Sequence, residues 1–326
     1  MTHSTVPDCG PDEVLLEMQS TSLNYRDLVV MRGHHGRAVT PPLVPLSDGV
    51  GVIMAVGARV AGFAEGDRVS PSFYQHWQGG APPVDLERGR LGGPLDGVLA
   101  THRTFAGTGL VHVPDHLSNA EAATLPCAGV TAWSALLEPT PLRAGETVLI
   151  LGTGGVALMA LQLAKAVGGR VIMTTSDRAK AKRLIKLGAD DIIDRSTVPD
   201  WSHVVRDLTG GIGADRVLDL AGAATLNTSI KAVKTGGTIL LIGNVSGNVA
   251  EISLPLVLTR RITLHSVSCG SQETFRSLCR VVDLHRIKPI IGKEFAFQSA
   301  ASAYDALETG QVFGKICVSC TEESQL

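Results

Sequence analysis

A cluster of three glycines, Gly152, Gly154 and Gly155, lies between an apolar run and a helical pattern that continues through Val156. Glycine at the first position permits a tight turn, and glycine at the second lets backbone amides approach a ligand closely. Ala157 holds the last small position of the pattern, where a small side chain lets helix and strand pack together. The free N–H groups at a helix start attract phosphate. The segment therefore predicts a site for the pyrophosphate of a dinucleotide.

The residues after the second apolar run bear on which dinucleotide binds. NAD needs a carboxylate about 20 residues beyond the glycines to accept hydrogen bonds from the ribose 2′-hydroxyl, and Thr175 stands there instead. Ser176, Lys180 and Arg195 offer a hydroxyl and two cations, which suit a 2′-phosphate. We therefore predict NADPH as the cofactor. NADH remains the less favoured alternative, because Asp177 could reach the ribose after a small backbone shift.

The elements that carry these residues begin at about Cys127, where strand and helix patterns start to alternate. Apolar strands alternating with amphipathic helices predict a doubly wound parallel sheet. The preceding residues are rich in glycine, proline and short β-like runs, which indicates a β domain. We expect an α/β protein with a β domain in residues 1–126, a dinucleotide-binding domain in 127–265 and a returning segment in 266–326.

Composition limits the possible partners. The chain has 326 residues, 44% apolar and 18% charged, with a formal net charge of −2. This composition is typical of a two-domain globular enzyme and gives no indication of a nucleic-acid or anionic-membrane partner. We expect no membrane span and no signal peptide. Six scattered cysteines, including the Cys317–Cys320 pair in a predicted strand, favour a reducing cytoplasm over a disulfide or metal framework.

The chain resembles the medium-chain dehydrogenase/reductase superfamily, in order and over nearly its whole length. The similarity is greatest to the zinc-free quinone oxidoreductases and enoyl reductases, and to an alcohol dehydrogenase-like group. It implies a GroES-like catalytic domain, a Rossmann domain, an active site between them and a homodimer. Relatives have more residues before "GPDEVLLEM", so either the start was set too late or the first domain is shortened. The segments that carry the resemblance are "SLNYRDLVVMRG", "GVGVIMAVGARVAGFAEGDRV", "LPCAGVTAWSAL", "LGTGGVALMALQLAKAVG" and "GKICV".

The resemblance also allows a test for zinc. In zinc-containing relatives a cysteine, a histidine followed by glutamate, and a second cysteine or histidine hold the catalytic metal. The matching residues here are Asn24, Ser47 with Asp48, and Cys127. Zinc prefers thiolate, imidazole or carboxylate ligands, so this set is poor. The four cysteines of the structural zinc lobe are also absent from the matching sequence. We therefore predict no bound metal.

Without a metal, hydrogen bonds must polarise the substrate oxygen, and a proton donor is needed. The resemblance implies that the segment containing Asn24 and Tyr25 faces the nicotinamide. Asn24 would donate its amide N–H to the oxygen, while Tyr25 is either a donor or a packed aromatic. His35 matches the position of a tyrosine proposed as proton donor in enoyl reductases, and it can titrate near neutral pH. The alternative is that His35 is a histidine of a surface loop with no role in the reaction.

Further cofactor contacts are expected elsewhere in the Rossmann domain. The resemblance implies that the hydroxyl of Thr131 lies near the nicotinamide ribose. Ligands in open α/β folds sit at the carboxyl ends of strands. The candidates at such ends are Leu220, Gly243, Asn244 and Ser268.

Together these observations predict a zinc-independent, NADPH-dependent oxidoreductase that transfers a hydride to an enone, quinone or carbonyl. Two alternatives stay open. One is an alcohol dehydrogenase that works in the opposite direction, and the other is an NADPH-binding protein with little catalytic activity.

Overall fold

The computed structural model describes residues 5–33 and 42–321. The chain divides into two compact units. Unit 1 runs to Val130 and resumes at Cys269, and unit 2 comprises Thr131–Ser268. The domain limits expected from the sequence, 126/127 and 265/266, lie a few residues earlier. In the part of the chain that the structure describes, no helix is both long and apolar enough to cross a membrane.

Unit 1 is built on a seven-stranded sheet in the order β12-β13-β1-β2-β3-β5, with β4 also paired to β1. All its pairs are antiparallel except β12 with β13. The strands are β1 (Glu13–Ser22), β2 (Asp48–Val56), β3 (Arg68–Pro71), β4 (His102–Ala106), β5 (Leu110–His112), β12 (Ile291–Phe295) and β13 (Lys315–Ser319).

The core of unit 1 follows from the alternation of β1, in which every second side chain from Val14 to Met18 is buried. These side chains pack with Ile53 of β2 and Ile316 of β13. The helices of this unit are α1 (Tyr25–Met31), α2 (Asn119–Ala122), α9 (Gln272–Leu284) and α10 (Ala300–Glu308), with short 3₁₀ turns at Leu86–Gly89, Gly107–Gly109 and Phe297–Ser299 and a π-helical turn at Leu125–Gly129.

Unit 2 contains a six-stranded parallel sheet in the order β11-β10-β9-β6-β7-β8. In order of appearance within the unit this is 6-5-4-1-2-3, the doubly wound arrangement of dinucleotide-binding folds. The predicted combination of a β-rich domain and a doubly wound parallel sheet is confirmed. The strands are β6 (Thr147–Leu151), β7 (Arg170–Thr175), β8 (Asp191–Asp194), β9 (Ala214–Asp219), β10 (Val233–Leu241) and β11 (Thr263–Ser266).

The strands at the centre of this sheet are mostly buried because helices pack against them. All five residues of β6 are buried, and α4 contacts β6 and β7. The helices are α3 (Val130–Leu137), α4 (Gly155–Ala166), α5 (Arg178–Lys186), α6 (Ser202–Leu208), α7 (Leu226–Ala232) and α8 (Leu254–Thr259).

One boundary in unit 2 depends on a glycine. α7 ends at Ala232 and β10 begins at Val233. Gly236 has φ of +73°, which an α-helix does not accommodate. The helix therefore ends before the glycines, which lie inside β10 where its register with β9 shifts.

Candidate active site

The glycine loop connects β6 to α4 in unit 2. Gly152 has φ of +86°, a conformation that favours glycine, and Gly154 is the residue directly before α4. A Cβ added at Gly152 or Gly154 would meet no protein atom within 4 Å, so the loop faces open space. Ala157 is fully buried. The loop therefore fits a pyrophosphate, with the amides of Gly155 and Val156 at the helix N-terminus placed to bind it.

The carboxylate of Asp177 is engaged at the start of α5. Its Oδ1 accepts hydrogen bonds from the backbone N–H of Ala179 at 2.7 Å and of Lys180 at 3.3 Å. This is a helix N-cap, in which the oxygen satisfies otherwise unpaired amides. Ser176, directly before it, is exposed. A carboxylate held as a cap is less available to a ribose hydroxyl, while the exposed Ser176 is accessible to a ligand.

Arg195 lies at the same edge of the sheet. It follows β8, whose last residue, Asp194, pairs in register with Thr175 of β7. The backbone N–H of Arg195 donates to the Thr175 carbonyl at 2.8 Å. Among the described residues, its buried Nε has no hydrogen-bond partner. The structure thus brings Arg195 close to the segment that carries Ser176 and Lys180.

The other three strand ends also share this edge. Asp219, Leu241 and Ser266 are register partners at the ends of β9, β10 and β11. Leu220 and Gly243 approach so closely that a Cβ added at Gly243 would lie 2.2 Å from the Leu220 carbonyl oxygen. Four residues were predicted to contact the cofactor at the ends of these strands, and they are therefore neighbours at one edge of the sheet. They are Leu220, Gly243, Asn244 and Ser268.

Asp219 anchors the loop after β9. Its Oδ1 accepts from the backbone N–H of Ala221 at 3.1 Å and of Gly222 at 2.9 Å, and from the Thr225 hydroxyl at 2.7 Å. Its Oδ2 accepts from the Ser229 hydroxyl at 2.7 Å. The side chain is fully buried, so these bonds fix the loop that carries Leu220.

In unit 1, Asn24 is the residue before α1. Its backbone N–H donates to Asp27 Oδ2 at 2.7 Å, while its side chain turns to other partners. Asn24 Oδ1 accepts from the ammonium of Lys315 at 2.6 Å, and Asn24 Nδ2 lies 3.5 Å from the Ser47 hydroxyl. Lys315 also donates to the Leu23 carbonyl at 2.6 Å. The amide of Asn24 is therefore held between a cation and a hydroxyl.

Asp48 lies on the other side of Ser47. The Ser47 hydroxyl donates to Asp48 Oδ1 at 2.6 Å, and the backbone N–H of Cys127 donates to Oδ2 at 3.2 Å. The Lys315 ammonium is 4.0 Å from Oδ2. The structure thus brings together the residues of unit 1 that match the zinc-ligand positions, and it adds a lysine to them.

Burial controls the ionisation of the two carboxyl groups in this cluster. It raises the pKa of Asp48, while the neighbouring Lys315 ammonium lowers it in part. Burial likewise raises the pKa of Asp27 to about 6, against the opposing effect of the Arg26 guanidinium. Burial also raises the pKa of the Cys269 thiol well above its usual value. These groups therefore prefer their neutral forms unless a cation is close.

The donor set around Asn24 does not fit zinc. The oxygen of its amide already accepts from a buried ammonium, which would repel a second cation. The Ser47 hydroxyl gives its proton to Asp48, so Cys127 is the one thiol left at the matching positions. In the described ranges, no group of three or more His, Cys, Asp or Glu side chains could hold a metal ion.

The remaining predicted residues have different environments. Tyr25 is the first residue of α1 and is 38% exposed. Thr131 lies buried in α3. His35 lies outside the described residues.

Two of these groups were not recognisable as functional from the predicted patterns. Lys315 was interpreted only through its family motif, although a lysine among the apolar residues of "GKICV" signals a buried charge with a partner. Asp219 was missed altogether. Its signal is a carboxylate that ends an apolar strand just before small residues and hydroxyls.

Comparisons with known proteins agree with both halves of the architecture. Residues 10–115 match the alcohol dehydrogenase GroES-like domain family, and residues 155–283 match the zinc-binding dehydrogenase family. These matches correspond to strands β1–β5 of unit 1 and to most of unit 2.

Whole-length relatives are similar as well. A zinc-type alcohol dehydrogenase-like protein of Schizosaccharomyces pombe is 36% identical over 94% of this chain and 90% of its own. The 2-methylene-furan-3-one reductase of Solanum lycopersicum is 30% identical over 97% of this chain and 74% of its own. A solved structure of a candidate alcohol dehydrogenase from Sinorhizobium meliloti 1021 has a TM-score of 0.92 and 40% identity, over 96% of this chain and 92% of that one.

Proposed function

The chain belongs to the medium-chain dehydrogenase/reductase superfamily and is an NAD(P)H-dependent oxidoreductase, and on that premise we propose that it transfers a hydride from NADPH to an enone, quinone or carbonyl without zinc. The observation that carries this proposal is the environment of Asn24. Its amide oxygen is bonded to the Lys315 ammonium, and the cluster offers N–H donors in place of metal ligands.

The reduction then depends on hydrogen bonding to the substrate oxygen. NADPH supplies the hydride when it is bound. Asn24 donates an N–H to the oxygen, on which negative charge grows as the new C–H bond forms, so that the hydrogen bond strengthens toward the transition state. A proton completes the reaction, and His35 and Tyr25 are its proposed donors. An enone substrate is supported by the similarity to 2-methylene-furan-3-one reductase, whose name describes such a compound.

The preference for NADPH rests on the engagement of Asp177. With its Oδ1 capping α5, Asp177 is less available to bind a ribose 2′-hydroxyl. Ser176, Lys180 and Arg195 are the proposed ligands of a 2′-phosphate, since a phosphate prefers hydroxyl and cationic donors.

The other proposed cofactor contacts fall into two groups. The pyrophosphate binds at the glycine loop, whose residues are Gly152, Gly154, Gly155 and Val156. The ribose and carboxamide of the nicotinamide half bind at the strand ends and α3, through Thr131, Leu220, Gly243, Asn244 and Ser268.

The test is a kinetic comparison with the purified full chain. Oxidation of NADPH and NADH is followed with a panel of enones, quinones and aldehydes, and bound metal is measured in protein purified without added metal. The proposal expects turnover with NADPH, a higher kcat/KM for NADPH than for NADH, and activity that survives a chelator. NADPH binding with no turnover of any panel member, or stoichiometric zinc, would refute it.

An alcohol dehydrogenase activity is the second candidate, because relatives at 36% and 40% identity carry that name. The same preparation is incubated with NADP⁺ and a series of alcohols. Formation of NADPH at a higher kcat/KM than the reverse assay would make alcohol oxidation the direction that the enzyme catalyses more efficiently.

We further propose a homodimer formed through the β11 edge of unit 2. β11 is the terminal strand of its sheet, and the described residues of α8 include none that is fully buried. Leu254 and Leu258 of α8 are 60% and 72% exposed. Exposed apolar groups beside a free sheet edge favour pairing. A Leu258→Lys variant is expected to lower the mass measured by light scattering, whereas Ile185→Lys on exposed α5 leaves it unchanged.

A cytoplasmic location is proposed on different grounds. All six cysteines are free thiols, which suits a reducing compartment.

A further inference from the structure

Two cysteine side chains lie together beside Asp48. Cys127 is in the π-helical turn Leu125–Gly129, and its backbone N–H donates to Asp48 Oδ2 at 3.2 Å. The Cys269 thiol donates to the Pro126 carbonyl of the same turn at 3.1 Å and lies 4.0 Å from the Cys127 carbonyl oxygen. It is also in hydrogen-bond contact with the Cys127 side chain. The fold therefore pairs two thiols that are 142 positions apart in the chain.

Both thiols belong to unit 1, close to the two points at which its chain is interrupted. Unit 1 runs to Val130 and resumes at Cys269. Cys269 has φ of +59°, a left-handed conformation that side chains other than glycine seldom adopt. A residue persists in such a conformation only where the surrounding structure holds it there. The fold thus fixes the Cys269 thiol against the turn that carries Cys127.

The two thiols differ in their access to solvent. Cys127 is half-buried, whereas Cys269 is 7% exposed. Burial raises the pKa of the Cys269 thiol well above its usual value, so this sulfur stays protonated and reacts slowly with an oxidant from solution. A dissolved oxidant therefore reacts first with Cys127.

The neighbouring thiol determines the product of that reaction. A cysteine sulfenic acid beside a thiol condenses with it to a disulfide, whereas an isolated one is open to further oxidation to the sulfinic acid. A disulfide requires sulfur atoms about 2 Å apart, which a pair already in hydrogen-bond contact reaches through a small displacement. Oxidation at Cys127 should therefore end as a disulfide with Cys269.

We infer that Cys127 and Cys269 form a modification site, at which a hydroperoxide converts the two thiols into a reversible disulfide. The Cys127 sulfur attacks the peroxide, so that an S–O bond forms, the O–O bond breaks, and water or an alcohol leaves with the thiol proton. The Cys269 sulfur then displaces the hydroxyl group from the sulfenic acid, the S–S bond forms, and the Cys269 proton leaves with that hydroxyl as water. The thiols lose a pair of electrons that the peroxide gains, and a dithiol reductant reverses the reaction by exchange.

The test is mass spectrometry of the purified full chain. The protein is reduced, freed of reductant, treated with hydrogen peroxide under native conditions and then alkylated in denaturant. Each of the two cysteines lies in a tryptic peptide that contains no other cysteine. We expect a loss of about 2 Da, a cross-link between these two peptides, and its disappearance with dithiothreitol. A chain in which Cys127 stays reduced, or becomes sulfinic acid while Cys269 stays reduced, would overturn the inference.

Two variants examine the order of the steps. In Cys269→Ser, dimedone should trap the Cys127 sulfenic acid, and longer treatment should give the sulfinic acid. In Cys127→Ser, the buried Cys269 should remain a free thiol for at least about tenfold longer than Cys127 does in the parent. Oxidation of Cys269 at an unchanged rate in Cys127→Ser would show that Cys127 is not the attacking residue.

Cys9→Ser is the matched control. Cys9 is half-buried like Cys127, but its thiol contacts the backbone carbonyls of Gly10, Glu13 and Ala55. This variant should form the link between Cys127 and Cys269 at the parental rate.

Oxidation of the urea-unfolded chain shows whether the fold supplies the contact. The native chain should form the link at least about tenfold faster than the unfolded chain, in which a long loop must close and several pairings compete. An equal rate, or mixed pairings in the native chain, would overturn the inference. These measurements need no turnover, so they decide the inference even if the proposed hydride transfer fails.

Discussion

Asp219 Oδ2 and the hydroxyl of Ser229 are joined by a hydrogen bond of 2.7 Å, which ties the end of β9 to α7. Asp219 Oδ1 holds the intervening loop through two backbone amides and the Thr225 hydroxyl. A single buried carboxylate thus fixes the loop that follows the strand, and Leu220, a proposed cofactor contact, lies in that loop.

Replacing Asp219 with alanine should loosen this loop. It leaves two hydroxyls and two amides without their acceptor, which is expected to lower the free energy of unfolding by about 2–4 kcal/mol and to raise the Kd for NADPH about tenfold. Asp219→Asn should cost less than about 1 kcal/mol, because Asn keeps one acceptor oxygen and its NH₂ can donate to Ser229. Urea unfolding and fluorescence titration with NADPH measure the two effects.

Asp207→Ala is the control, because Asp207 is an exposed aspartate of the same unit. It should leave both quantities unchanged. Equal effects of Asp219→Ala and Asp219→Asn would show that charge, and not the hydrogen-bond acceptors, stabilises the loop.

Lys180→Gln and Arg195→Gln should weaken NADPH selectively. Each removes a cation proposed to bind the 2′-phosphate, so KM for NADPH is expected to rise about tenfold while KM for NADH changes little. Lys182→Gln, on the exposed side of α5, should change neither KM. An equal rise in KM for NADPH and for NADH would show that these side chains do not bind the 2′-phosphate.

Local patterns predicted the cofactor half of the molecule. The loop at Gly152 and the strand ends at Leu220 and Gly243 are recognisable because strand, turn and helix follow one another directly in the chain. In a parallel sheet, strand ends meet at one edge whatever the details of packing.

The cluster in unit 1 was harder to predict because its parts are distant in sequence. Lys315 and Asn24 are separated by 291 positions, and neither residue type reveals that the other is its partner. Short helices such as α1 and α2 span too few residues to show a helical period, so the pattern before residue 126 indicated strands alone. Tyr25 was left open between two roles, and its exposure follows only from the course of α1.

Arg216 provides a stability prediction in unit 2. This residue of β9 is 4% exposed, and its guanidinium donates to the carbonyls of Ala135, Glu138 and Thr140 around the end of α3. Arg216→Met keeps the side-chain length but leaves those carbonyls without donors. We expect a loss of about 2–4 kcal/mol in the free energy of unfolding. Exposed Arg143→Met should cost less than about 0.5 kcal/mol in the same denaturant titration.

Asp27 should lower the stability of the protein as pH rises, which is opposite to the usual effect of a native carboxyl group. Burial raises its pKa from 3.8 to about 6, although Arg26 opposes the shift. Between these two values the unfolded chain has lost the proton that the native protein still holds. The free energy of unfolding therefore falls as pH rises from about 4 to about 6, by at most about 1.4 kcal/mol per pH unit, and then levels off.

The asparagine variant isolates this effect, because Asp27→Asn cannot titrate. The difference in unfolding free energy between parent and variant should shrink as pH rises through that window and stay constant above about pH 7. Asp67→Asn is the comparison, since a backbone hydrogen bond from Ala64 and the side chain of His112 lower the pKa of Asp67 below its usual value. The difference in unfolding free energy between the parent and Asp67→Asn should instead stay constant above about pH 5, because Asp67 is then ionised in both the native and the unfolded protein. If the difference in unfolding free energy between the parent and Asp27→Asn did not change with pH, the Arg26 guanidinium would compensate fully for burial. Asp27 would then remain ionised beside Asn24 throughout the range.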